Sequence, residues 1–272
     1  MISTILCDLD GVVWLAHRPI DGATDAIAAL QAAGRRVLFV TNNSAATVAT
    51  QEAALAAIGV DATGSVVSSA MAAALLVEPG ERVLVAGGPG LVEAMDGRGV
   101  DVVVNDGTLA AAAIDADPFA AVVTGLHRDF DYARLASAAR AIHRGARLIG
   151  TNGDPTYPMP TGFDPGGGSI LAAIATAGLV EPVVAGKPYR PMADLIRSLL
   201  ATEAAPYDPA SVIMVGDRLD TDGSFAGELG CRFALVRSGS IAPGADVPGL
   251  PAGSLDMANL AAVAGVVLGE TI

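Results

Sequence analysis

Short β-branched runs alternate with alanine- and leucine-rich stretches along almost the whole chain, and this alternation limits the fold more than any single motif does. Parallel strands need a crossover between them, and the usual crossover is a helix, so the pattern predicts a parallel α/β sheet. ISTILCDLD reads as a strand that ends in acid. Asp21–Ala33 reads as a helix stopped by Gly34, RRVLFVTNN as the next strand and Ser44–Ile58 as the next helix. SVVSSA is a third strand, and the helix after it ends at Pro79-Gly80. A second α/β series follows. ERVLVAG and VDVVVND flank a helix over Leu91–Gly97. FAAVVTG, a helix over Tyr132–His143, ARLIGTN and a helix over Ser169–Ala177 then lead to EPVVAGK. Beyond it, Met192–Ala201 is expected as helix, SVIMVGD as strand, Thr221–Leu229 as helix and CRFALVRSG as the last clear strand. Leu255–Leu268 is expected as a terminal helix. Pro79-Gly80 and Gly178–Pro182 are the expected domain joints.

At 272 residues, 52% of them hydrophobic, the chain can bury a large core or two modest ones. Its net charge of −13 argues against a nucleic-acid partner, since phosphate backbones are bound by clustered Lys and Arg. The same charge argues against an anionic membrane surface. The start, MISTILCDLDG, lacks the basic and long apolar regions of a signal peptide, so none is expected. Ala70–Val77 and Leu260–Leu268 fall short of the ~20 apolar residues of a membrane span. Cys7 and Cys231 each lie in an apolar run and read as small buried hydrophobes in a reducing cytoplasm.

Four segments carry chemistry, each at the C-terminal end of a strand, where open parallel sheets place their sites. Asp8 and Asp10, two residues apart in DLDG, offer oxygen ligands to a hard cation, or a nucleophile beside a general acid/base. Thr41-Asn42-Asn43-Ser44 brings a hydroxyl, amides and backbone N–H groups to a helix start, which suits an anion; a plain helix cap by Asn43 or Ser44 is the simpler alternative. In Gly186-Lys187-Pro188 stands the chain's only lysine, against fifteen arginines. A surface position would accept arginine, whereas a site needing one compact ammonium among carboxylates would reject a planar fork. In GDRLDTD, Asp217 is placed to complete a metal site with Asp8. Asp222 is placed to orient Lys187 or a metal-bound water, and Asp220 is available as a cap.

The ordered set DLDG, TNNS, GKP and GDRLDTD resembles the haloacid dehalogenase superfamily. Its spacing resembles the subfamily of p-nitrophenylphosphatase, phosphoglycolate phosphatase, glycerol-3-phosphate phosphatase and ribonucleotide monophosphatase. TGLHRDFDYARL and GTNGDPTYPMPTG resemble segments of that subfamily's cap, so the likeness covers nearly the whole chain. It implies a Rossmann-like parallel core, residues 1–80 and 185–272, with an α/β cap of the second insertion type over 81–184. It implies Asp8 as the nucleophile that forms an aspartyl-phosphate, and Asp10 as the acid/base whose backbone carbonyl also faces Mg²⁺. Thr41, Asn42 and Asn43 match phosphoryl-binding positions, and Lys187 matches the lysine that neutralises nucleophile and phosphoryl group. Asp217 matches a Mg²⁺ ligand and Asp222 its supporting carboxylate. The cap loop Asn152–Gly162 is the expected determinant of substrate, with Tyr157 at a substrate-contacting position. Gly223 departs from the family's usual apolar residue after the last aspartate.

The resemblance thus implies a Mg²⁺-dependent phosphatase of small phosphorylated metabolites such as glycerol 3-phosphate, phosphoglycolate or sugar phosphates, assembled as a homodimer through the cap. A nucleoside monophosphate or pyridoxal phosphate phosphatase is an alternative. Two rivals come from other classes. A phosphate sensor without turnover would have no need of the Asp8/Asp10 pair. A dinucleotide-binding fold is hinted at by Ala86-Gly87-Gly88-Pro89-Gly90, which lacks the G-x-G-x-x-G spacing. Trp14 either lines the entrance or fills core, and His17, His127 and His143 read as surface or structural residues.

Overall fold

The strand Thr4–Cys7 is apolar on both faces and buried along its length, as a central parallel strand must be. It runs parallel to Val212–Gly216 on one side, with Ile5 opposite Ile213, and to Arg36–Thr41 on the other, with Ile5 opposite Val37. The computed structural model describes residues 1–159, 162–201 and 205–269. Packing divides the chain into two units. The first holds Met1–Thr41, Ala49–Val67 and Lys187–Ile272; the second holds Asn42–Val48 and Ser68–Gly186.

In the first unit a six-stranded sheet has the order Leu255–Met257, Arg232–Val236, Val212–Gly216, Thr4–Cys7, Arg36–Thr41, Val66–Ser68. The early strands build outward on one side of Thr4–Cys7 and the late strands on the other. The order therefore reverses between Thr4–Cys7 and Val212–Gly216, and Asp8 and Asp217 follow those two strands directly. Such a reversal opens a crevice at the carboxyl ends of the strands. The helix Ala23–Ala32 covers the sheet with Ala23, Ala26, Ile27 and Leu30, a stripe at helical spacing.

In the second unit five parallel strands have the order Val183–Val184, Arg147–Gly150, Ala121–Thr124, Arg82–Ala86, Asp101–Val104. Leu84, Val122 and Leu148 pack with Ile142 and Ile174. The glycine loop after Arg82–Ala86 seats the chain's own residues 44–46. Gly90 N–H donates to the Ala45 carbonyl at 3.0 Å. A Cβ on Gly90 would run into the Ala46 carbonyl, so only glycine admits this approach. The backbone approach that serves a pyrophosphate in a dinucleotide fold is used here for internal packing.

Three boundaries differ from the sequence expectation. The helix expected from Ser44 begins at Val48, because residues 42–47 are tied into the second unit; neither Asn43 nor Ser44 caps it, and Val48 N–H is taken by Glu93 Oε2 at 2.9 Å. The stretch expected as helix from Leu255 starts as a strand, since Leu255, Asp256 and Met257 pair with Ala234, Leu235 and Val236 at the sheet edge. The helix Leu260–Leu268 begins only where Asn259 Oδ1 accepts from Ala262 N–H at 3.1 Å. The helix expected from Thr221 opens as one wide turn over Leu219–Gly223, with Gly223 N–H bonded to Arg218 C=O, and becomes α-helical over Ser224–Leu229. Apolar periodicity does not register a capped break or a widened turn, because neither changes which residues are apolar. Two short hairpins, Trp14–Leu15 with Arg18–Pro19 and Thr156–Met159 with Gly162–Pro165, and the helix Ala111–Ala116 add to the expected elements.

Because the Asn259 side chain satisfies an otherwise orphaned helix N–H, Asn259→Ala is expected to lower stability by about 1 kcal/mol. Urea unfolding followed by circular dichroism measures this, and an unchanged midpoint would show that the cap contributes nothing.

Candidate active site

Asp8 leaves the central strand with its backbone N–H on Val215 C=O at 3.0 Å, so the strand pairing itself sets its position. Lys187 Nζ donates to Asp8 Oδ1 at 2.8 Å and to Asp222 Oδ1 at 2.7 Å, and the lysine is 3% exposed. Asp222 reaches this point because the wide turn folds it back, where its Oδ2 also accepts from Arg218 N–H at 3.2 Å. Asp217 is oriented by Ser240, whose N–H donates to Oδ2 at 2.7 Å. Gly11 lies against this carboxylate in a left-handed conformation, with φ 86°, and a Cβ there would stand 2.5 Å from Asp217 Oδ2. The turn of DLDG therefore needs glycine for both its backbone angle and its space.

Carboxylate oxygens of Asp8, Asp217 and Asp222 all lie within 4.8 Å of one another. Asp10 stands apart from that cluster of side-chain ligands; its Oδ1 accepts from Trp14 Nε1 at 3.1 Å. Burial pushes the Asp10 carboxyl up to about 6, the Asp8 charge adds to this, and the indole hydrogen bond opposes it. Burial and Asp8 likewise raise Asp217, against the Ser240 hydrogen bonds. For Lys187, burial alone would depress the ammonium, but Asp222 and Asp8 outweigh it and hold the proton on. Burial pushes Asp222 up against the pull of the Lys187 ammonium. Crowded, buried carboxylates with oxygen donors only are the ligand set of a hard divalent cation, which would offset their repulsion, so these residues fit Mg²⁺.

Of the remaining expected site residues, Thr41 ends the strand Arg36–Thr41 and is buried. Asn42 and Asn43 follow it in sequence and are held within the second unit. Asn42 Nδ2 donates to Asp154 Oδ2 at 2.9 Å, and its carbonyl accepts from Ser69 Oγ at 2.8 Å and Asn152 Nδ2 at 2.9 Å. Asn43 Oδ1 takes Ala45 N–H at 3.0 Å, and Ser44 Oγ lies 2.8 Å from Thr151 Oγ1. Tyr157 lies in a hairpin strand opposite Asp164, with the Arg128 guanidinium 5.9 Å from its ring and 3.0 Å from Asp164. Pro160 and Thr161 of the expected substrate loop lie outside the described residues. Sequence reasoning missed Ser240, Asn152 and Asp154 as partners of site residues. It read Trp14 as lining the entrance or filling core, and did not anticipate its hydrogen bond to Asp10. No motif marks such partners, because each acts through a contact between segments distant in sequence or across a turn.

Comparison with known proteins follows the same residues. Residues 5–101 match the family described as haloacid dehalogenase-like hydrolase, and residues 184–252 match a HAD-hydrolase-like family. The chain is 36% identical over 240 residues to the D-glycerol 3-phosphate phosphatase of Mycobacterium tuberculosis, covering 86% of this chain and 63% of that protein. It is 35% identical over 222 residues to the acid sugar phosphatase of Staphylococcus saprophyticus, covering 80% of this chain and 79% of the relative. A crystal structure of a glycerol phosphate phosphatase from Mycobacterium tuberculosis in complex with magnesium superposes with a TM-score of 0.80 at 32% identity, over 95% of this chain and 75% of that one.

Removing one partner from a buried ion pair strands the other charge. Lys187→Met is therefore expected to lower stability by about 3 kcal/mol, and the double variant Lys187→Met/Asp222→Asn to lose clearly less than the sum of the single changes. A urea-unfolding double-mutant cycle measures the coupling, and strict additivity would show that the pair is not an energetic unit.

Proposed function

Because the chain belongs to the haloacid dehalogenase-like hydrolases and is a magnesium-dependent phosphoric monoester hydrolase, we propose that it cleaves small phosphate monoesters through an aspartyl-phosphate on Asp8. Glycerol 3-phosphate, phosphoglycolate and sugar phosphates are the proposed substrates. The observation that carries this reading is the pair of carboxylates two residues apart in unlike surroundings. Asp8 accepts a hydrogen bond from a buried ammonium, which fixes the direction in which its free oxygen can attack. Asp10 is held by an indole and has no ion-pair partner among the described residues, which suits a group that must carry a proton and release it.

In this reading Asp8 attacks phosphorus, the bond from phosphorus to the ester oxygen breaks, and Asp10 gives its proton to the departing oxygen. Asp10, now a carboxylate, takes a proton from the water that hydrolyses the aspartyl-phosphate. Lys187 cancels charge on the nucleophile and on the phosphoryl group, and Thr41, Asn42 and Asn43 bind the phosphoryl oxygens. Asp8, Asp217 and the Asp10 backbone carbonyl, with Asp222 in support, would hold Mg²⁺, which would supply positive charge against the repulsion between a dianionic ester and a carboxylate. Tyr157 is assigned to substrate contact.

We assign residues 1–80 and 185–272 to the catalytic core and 81–184 to a cap, with a homodimer formed through the cap. The cytoplasm is the proposed compartment; Cys7 buried and Cys231 half-buried, both unpaired, suit a reducing one. No helix among the described residues is long and apolar enough to cross a membrane.

Phosphate release from a panel of these monoesters with Mg²⁺ tests the reading. The native protein is expected to turn over, and Asp8→Asn to lose about 10³-fold or more. Release that survives in Asp8→Asn would remove the assigned nucleophile. No release from any ester by a folded protein that binds Mg²⁺ would favour a phosphate sensor.

A further inference from the structure

Trp14 is the only tryptophan in the chain, and it is 3% exposed. A buried indole N–H requires an acceptor, and here the acceptor is Asp10 Oδ1 at 3.1 Å. The chain doubles back to make this contact. Trp14 N–H donates to Leu9 C=O at 3.2 Å, and Gly11 N–H donates to Trp14 C=O at 2.8 Å, so the indole returns to the residue just before Gly11.

The hairpin beyond is built to hold the ring. Trp14 pairs with Pro19 and Leu15 with Arg18, leaving a two-residue turn of Ala16 and His17. Both have positive φ, 49° and 61°. Such turns favour Asn-Gly, and a left-handed residue other than glycine costs about 1–2 kcal/mol. That conformation brings the His17 ring against the indole, with centroids 4.9 Å apart and planes tilted by 54°. Local strain is thus tolerated in a segment whose visible product is a braced tryptophan.

We propose that Trp14 is the positioning residue of the acid/base: its indole N–H occupies Asp10 Oδ1 and confines the transferable proton to Oδ2. An indole nitrogen donates and cannot accept, and the carbonyl oxygen of a carboxylic acid is a better acceptor than its hydroxyl oxygen, so the bond favours the form with the proton on Oδ2. A carboxylic acid free to turn would present its proton from either oxygen, and the indole selects one. When the ester bond breaks, the Oδ2–H bond breaks with it and the proton goes to the leaving oxygen. The electron pair of the broken ester bond stays on that oxygen. Asp10 remains a carboxylate with Oδ1 still bonded to Trp14, ready to take a proton from water on the same Oδ2. This inference rests on the assignment of Asp10 as acid/base made above.

The test uses leaving groups. An alkoxide needs a proton as it departs, whereas p-nitrophenolate leaves as a stable anion. The quantity to compare is kcat/KM, which reports steps up to departure of the leaving group and excludes the later attack of water. In Trp14→Phe, which keeps an aromatic filler, the ratio of kcat/KM for glycerol 3-phosphate to that for p-nitrophenyl phosphate is expected to fall roughly tenfold. Asp10→Asn should lower the same ratio further. A purely packing role for Trp14 would lower both substrates alike and leave the ratio unchanged, which overturns the inference while the Asp10→Asn ratio keeps the acid/base assignment. An unchanged ratio in Asp10→Asn, or no turnover of either ester by the native protein, overturns that assignment and this inference with it. A second readout is independent of turnover. As the sole indole, Trp14 gives an N–H Raman band that is expected to shift toward the unbonded position in Asp10→Ala; a band identical to that of the native protein would show that the hydrogen bond does not form.

Discussion

A single ammonium between two carboxylates sets the first unit's site. Burying Lys187 is unfavourable by itself, and Asp8 and Asp222 must stand within hydrogen-bond reach to offset it. Those partners come from different places: Asp8 from the end of the central strand, Asp222 from the wide turn after Val212–Gly216, and Lys187 from the point where the chain re-enters this unit. The ion pairs therefore fix three chain segments at one end of the sheet. Lysine suits this slot because it is a point charge whose three N–H bonds turn freely toward unlike partners.

The same end of the sheet gathers more negative charge than one ammonium can cancel. Asp217 is raised by burial and by Asp8, and the cluster of Asp8, Asp217 and Asp222 is left short of positive charge. A folded protein keeps such repulsion where a cation or an anionic transition state uses it. Within the same unit, partners with no chemistry of their own hold the neighbouring carboxylates in place. Ser240 orients Asp217, and Trp14 occupies one oxygen of Asp10.

Legibility followed the kind of signal each feature leaves. Parallel strands buried on both faces, such as Thr4–Cys7 and Val212–Gly216, stand out as apolar runs, and the acids that end them stand out by contrast. Lys187 stood out because composition had removed every other lysine. The elements misread were those where a side chain, and not apolar periodicity, sets the boundary. Asn259 starts the last helix, the packing of residues 44–46 delays the helix after Thr41, and the bonds of Asp222 widen the turn before Ser224. The glycines of the loop at Gly88 and Gly90 carried a real signal of close backbone approach, but not the identity of what approaches.

By itself the sequence determined the α/β class, the strand ends that bear Asp8, Asp10, Lys187, Asp217 and Asp222, and the acidic character of the site. Apolar runs and their terminating polar residues are local, and local patterns survive in one dimension. Tertiary structure chose, between the two roles the sequence left open for Asp222, the one beside Lys187, so that one lysine bridges Asp8 and Asp222; it alone decided that Asp10 takes an indole partner and that the chain's own backbone fills the glycine loop. The charge bridge joins residues 179 and 35 positions apart, and burial decides what it does to each group; neither separation in space nor solvent exclusion is written in the order of residues.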